Sequence, residues 1–181
     1  MTTGPMLYVR QSLGPDEELV YAGHFHWMYT LKAIFSIVIG FIGAVGIIYA
    51  GLYYYNNYGT GFYSQTLLGQ IRELPAVVKM ACIFTFLMGL FRFAQMMIVK
   101  ATTEIAITTS RLVYKRGLVA RYVGEMSIDR IEGVNVLQTI FGRLLGYGRV
   151  MVRGMGVGEV VLPPLANPVA FRKAIEKART L

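Results

Sequence analysis

Cysteine is almost missing from this chain: Cys82, inside an apolar run, is the sole thiol among 181 residues. A disulfide framework, a cysteine-based zinc site and an iron–sulfur cluster each need several thiolates, so all three are excluded. Histidine is nearly as scarce. His24 and His26 share a face if their segment is extended, but two imidazoles without a third ligand at suitable spacing make no metal site, and no cofactor is expected. Ser110 and Ser127 lie in a part of the chain with neither a histidine nor a nucleophile elbow, which leaves no hydrolytic triad. Gly154, Gly156 and Gly158 are not followed by a helix or a Lys-Ser/Thr pair, so they read as a hairpin tip rather than a phosphate cradle. The expectation is a protein that is not an enzyme.

Charge is the other scarcity. Charged residues make up 15% of the chain, against roughly 25% in soluble domains, while 55% are hydrophobic. That combination excludes a disordered chain and argues against an ordinary soluble globule. Acids are the scarcer sign: 10 against 18 Lys and Arg, a formal charge of +8.

The apolar residues are concentrated. No Asp, Glu, Lys, Arg or His occurs between positions 33 and 71, and the stretch 33–55 is apolar on every face for 23 residues. At about 1.5 Å per residue such a helix covers the roughly 30 Å of a bilayer core. Trp27, Tyr29 and Lys32 precede it and Tyr53, Tyr54, Tyr55 and Tyr58 follow, as interfacial anchors do. A second span is predicted at 77–99, interrupted by Lys79 and Arg92. Arg92 either snorkels to the headgroups or, with Gln95 three positions on, joins a helix–helix contact. The first helix carries the small-residue spacings Gly40-xxx-Ala44 and Gly46-xxx-Ala50, which allow close backbone approach in lipid.

Two spans return both termini to one side. Residues 100–181 carry thirteen Lys and Arg against six acids, whereas the loop at 56–76 carries Arg72 balanced by Glu73. The positive-inside rule then makes the loop external and both termini cytoplasmic, in a multi-pass membrane protein. Asp16, Glu17 and Glu18 ahead of the first span argue against a cleaved signal peptide. Residues 1–32 are read as a cytoplasmic arm and 33–99 as the hairpin.

After residue 100 the pattern changes to period-two alternation with glycine punctuation. Strands are predicted at 103–108, 111–115, 118–127, 133–138, 149–153 and 159–162, with a short apolar turn at 139–146. Asn167 as N-cap and Pro168 at the first position open a closing helix, with Phe171, Ala174, Ile175 and Ala178 on one stripe. Several antiparallel strands and one amphipathic helix fit a small barrel or bent sandwich.

Those residues carry a resemblance. Thr108-Thr109-Ser110-Arg111-Leu112, Gly117, Ile128-Asp129-Arg130-Ile131, and Gln138 with the run Phe141-Gly142-Arg143-Leu144-Leu145-Gly146-Tyr147-Gly148 resemble the bacterial pleckstrin-homology-like (PH-like) domain of two-span bacterial membrane proteins. The resemblance implies an α+β membrane protein: an N-terminal two-helix transmembrane hairpin followed by a PH-like antiparallel β-barrel, residues 100–181, capped by a C-terminal helix. It supplies no catalytic residues. The Thr109-Ser110-Arg111 hairpin lacks the Lys-x-Arg pattern of inositide-binding relatives.

Lys100, Lys115, Arg116 and Arg121 are the expected membrane-surface contacts, each contributing about 1 kcal/mol near anionic headgroups. The aromatics of this part, Tyr114, Tyr122, Phe141, Tyr147 and Phe171, are better used in a core than for base stacking, so nucleic acid is not an expected partner. The function expected is a non-enzymatic membrane-anchored scaffold that binds protein partners or self-assembles. The alternative is a subunit of an oligomeric transport or lipid-handling complex, motivated by Arg92 and Gln95.

Overall fold

A computed structural model describes residues 7–59, 61–117, 122–156 and 158–180. They form two compact units: one from the described residues up to Tyr29 together with those from Ile98 on, the other from Thr30–Met97.

The second unit is the helical hairpin. Helix α2 (Trp27–Tyr58) and helix α4 (Ala76–Thr102) extend beyond the predicted spans at both ends, with the short α3 (Leu67–Glu73) between them. At 32 and 27 residues both are long and apolar enough to cross a membrane. Their closest approach is at Gly40 and Gly89. A Cβ on Gly89 would stand 2.7 Å from the Ser36 carbonyl oxygen and 3.1 Å from Gly40 Cα, so only glycine fits at this crossing. Ser36 Oγ spans the same point, 2.6 Å from the Ala33 carbonyl and 3.2 Å from that of Gly89.

The first unit is built on two antiparallel sheets. One has the order β1 (Leu19–Gly23), β2 (Glu104–Thr108), β3 (Arg111–Arg116), β4 (Tyr122–Ser127); the other contains β5 (Ile131–Leu137), β6 (Tyr147–Gly154) and β7 (Gly158–Val161), with the two-residue β8 (Leu165–Ala166) also on β6. The hairpin is therefore inserted in the connection between two paired strands, β1 and β2. The expected barrel is not closed: among the described residues no strand of one sheet pairs with a strand of the other. On one side the 3₁₀ turn Ile128–Arg130 carries the chain round a corner between β4 and β5. Helix α6 (Pro168–Ala178) packs against β1, β2, β5 and β6, and so covers both sheets.

The core lies between the sheets and under α6. Ile105, Ile107, Leu112, Val150, Val152, Phe171 and Ile175 are all fully buried in it. Phe171 meets Tyr21 edge-on, with ring centroids 5.8 Å apart. The α6 stripe, the N-cap position at Asn167 and Pro168 at the first helical position are those the sequence predicts, but the cap is made without the Asn side chain. Asn167 is left-handed (φ 53°) and makes no side-chain cap bond. The side-chain cap that does form in this part is at helix α5 (Ile140–Leu145), where Thr139 Oγ1 accepts from Gly142 N–H at 3.0 Å.

Strand β6 keeps its predicted alternation, with Val150 and Val152 buried and Arg149 and Arg153 exposed. Strand β2 does not: all five residues are buried, against the half-burial that its alternation predicts. The reason is helix α1 (Leu7–Ser12), whose Val9 packs on Ala106 and Val113. Residues read as a cytoplasmic arm thus supply an edge strand and a cover to the domain.

Candidate functional site

Two carboxylates, the buried Glu104 and the half-buried Glu17, hold that N-terminal segment. Glu17 is met by five donors. Its Oε1 accepts from Thr108 Oγ1 at 2.5 Å, Ser110 Oγ at 2.8 Å and Arg111 Nε at 2.9 Å; its Oε2 accepts from Arg111 Nη2 at 2.8 Å and Gly14 N–H at 3.0 Å. Burial by itself would raise the Glu17 pKa, but these hydrogen bonds, led by Arg111, outweigh it and hold the carboxyl at about 2. The same bonds raise the Arg111 pKa. Arg111 also donates to Glu125 at 2.7 Å and to the Ser12 carbonyl at 2.6 Å, closing the end of α1.

Glu104 does the corresponding work at the start of α1. It accepts from the Tyr8 and Val9 amides at 3.0 and 3.2 Å, which are orphan donors of the first turn, and from Lys115 Nζ at 2.8 Å. Lys115 sits opposite Glu104 across β2 and β3 and also lies 5.1 Å from the centre of the Tyr8 ring. The Thr108-to-Leu112 motif is thus occupied by a carboxylate. Sequence reasoning missed Glu17; the cue available was an acidic cluster just ahead of the short apolar strand at 19–23 in an otherwise basic protein.

Of the predicted membrane-surface residues, Lys100 lies in the last turn of α4, Lys115 is committed to Glu104, Arg116 is exposed at the end of β3, and Arg121 falls outside the described residues. In the hairpin, Gly40 and Ala44 are buried, whereas Gly46 has open space where a Cβ would go and Ala50 is exposed. The contact follows the first small-residue spacing and turns away from the second. Arg92 and Gln95 are exposed, so neither is buried in the hairpin's own helix contact. His26 is a helix cap: its Nδ1 accepts from Met28 N–H at 3.2 Å, and its ring stacks on Tyr147 at 5.2 Å.

Helix α5 is the feature with no internal explanation. Ile140 is 88% exposed, Phe141 70% and Leu144 81%, with Arg143 on the same short helix. Gly142 anchors it: a Cβ there would lie 2.7 Å from the Tyr147 carbonyl, and left-handed Gly146 (φ 76°) ends it.

Two antiparallel sheets with a C-terminal helix over both define a PH-like domain, here carrying an inserted pair of apolar helices. The match to the bacterial PH domain family covers residues 18–179, and the chain belongs to that family. The match begins just ahead of β1 and runs through the hairpin, in agreement with β1 as part of the domain. No curated protein and no solved structure matches the chain.

Proposed function

We propose that this chain is a non-enzymatic, membrane-anchored interaction module at the cytoplasmic face of a bacterial inner membrane, and that its PH-like unit binds a protein partner or a second copy of itself through α5. The observation that carries this reading is the exposed row Ile140, Phe141 and Leu144, on a unit whose core is filled by other side chains. Clustered exposed apolar groups of this kind mark interaction surfaces. Anchoring is supported by α2 and α4: a core helix of a soluble protein would be mostly buried, whereas 17% and 6% of their apolar windows are. The basic excess after residue 100 supports the cytoplasmic side.

The test is the size of the full chain extracted from native membranes in mild detergent, by light scattering after lysine cross-linking. Wild type is expected to be larger than a monomer or to carry a cross-linked partner, and Phe141→Ser with Leu144→Ser is expected to reduce it to monomer with unchanged circular dichroism. A wild-type chain that is only monomeric and uncross-linked refutes the reading. The exposed Arg92 and Gln95 favour a second reading, an oligomeric transport or lipid-handling subunit, in which Arg92→Ala lowers flux in proteoliposomes.

A further inference from the structure

Between the end of β3 and the start of β6 lies a cavity of about 250 Å³. Arg116 and Arg149 line it, one from each sheet, with Tyr29, Thr103 and Tyr114 beside them. Among the described residues no carboxylate is on its wall. Neither guanidinium hydrogen-bonds or ion-pairs with any described residue. Elsewhere in the unit several basic side chains do find acids: Arg111 has Glu17 and Glu125, Lys115 has Glu104, and Arg172 has Glu176. Glu159, on the wall of the adjoining cavity that Arg116 also lines, is taken by Arg153.

Two unpaired positive groups on one concave wall repel each other and attract an anion. Guanidinium forks match the oxygens of a phosphate two at a time, which an isolated ammonium cannot do. The cavity is below the roughly 300 Å³ at which drug-sized pockets begin, a size suited to a phosphate with its first ester atoms. Thr103 already donates its hydroxyl to the Val99 carbonyl at 2.7 Å, and the two guanidiniums are the charged donors on the wall.

We infer that this cavity is a binding site for a phosphate group, held by Arg116 and Arg149. A glycerophospholipid headgroup is the favoured source. Tyr29 stands just ahead of the first apolar run, Val99 closes the second, and both line the cavity; a basic pocket at such a point is where anionic headgroups bind. That choice of source rests on the membrane-anchored reading, whereas the phosphate site does not.

The experiment titrates the full chain in detergent micelles with dihexanoyl phosphatidic acid and, separately, with inorganic phosphate, by calorimetry. Arg116→Gln and Arg149→Gln are each expected to weaken phosphatidic acid binding about tenfold, and the double variant about a hundredfold. Arg172→Gln, at an exposed pair, is expected to leave it unchanged. Phosphatidic acid at least tenfold tighter than inorganic phosphate assigns the site to a lipid headgroup; equal affinities assign it to a soluble phosphate ligand. Absence of binding by both, or wild-type affinity in the double variant with its melting curve unchanged, overturns the inference. Alkaline carbonate extraction of the same proteins separates the two readings: release of wild type from membranes defeats anchoring, whereas a membrane-retained wild type that binds neither ligand defeats only the site.

Discussion

Replacing Glu17 by Gln removes the charge on which five hydrogen bonds converge while keeping the side chain's shape. The pKa of Glu17 falls from 4.5 to about 2 on folding, and at 1.36 kcal/mol per unit that is a ceiling of about 3 kcal/mol. Glu17 is 8% exposed but its partner Arg111 is 26% exposed, so solvent screening reduces the figure to about 2 kcal/mol. The sign follows from the depressed value: the contribution is complete above the unfolded pKa of 4.5 and is lost as pH falls toward about 2. The assay is hydrogen exchange of the full chain in detergent, read on peptides covering β1 and β2, because local opening is what the latch opposes. At pH 7 Glu17→Gln is expected to exchange about 30-fold faster than wild type, the equivalent of about 2 kcal/mol. More than half of that difference in free energy is expected to be gone by about pH 3, where the unfolded carboxyl is protonated. A ratio near one at pH 7, or a ratio that does not change with pH, would refute the reasoning.

Other perturbations test the packing. Gly89→Ala is expected to force α2 and α4 apart, since its Cβ would meet backbone at 2.7 Å, whereas Gly46→Ala, with nothing within 4 Å, is expected to be silent; the melting temperature of the detergent-solubilised chain by circular dichroism separates them. Phe171→Ala, at a fully buried α6 position, is expected to cost about 3–5 kcal/mol, seen as accelerated proteolysis of residues 168–178, and full resistance would disprove α6 as the cover of the sheets.

The alternation in β6 and the apolar stripe of α6 were legible because each is a local pattern that tertiary packing left undisturbed. The long apolar runs were legible for the same reason, although the helices extend beyond both predicted spans. Strand β2 misled because its outward residues looked solvent-facing, and the helix that covers them comes from the other end of the chain. Arg92 and Gln95 were placed correctly on one helix, but which way that face turns depends on where Gly40 meets Gly89.

By itself, then, the sequence determined the two apolar helices, the antiparallel character of the strands after residue 100 and the sign of the charge there, all of which are set by composition and period over a few turns or strands. The tertiary structure alone decided that the domain begins before the hairpin. Glu17 and Arg111 are 94 residues apart, and their pairing is a matter of register between β1 and β2 that no local pattern encodes. It also decided that the sheets stay open under α6, that α5 is left bare, and that Arg116 and Arg149 come from different sheets to one cavity. Such meetings depend on how strands twist and stack once paired, and each is invisible until the whole chain has folded.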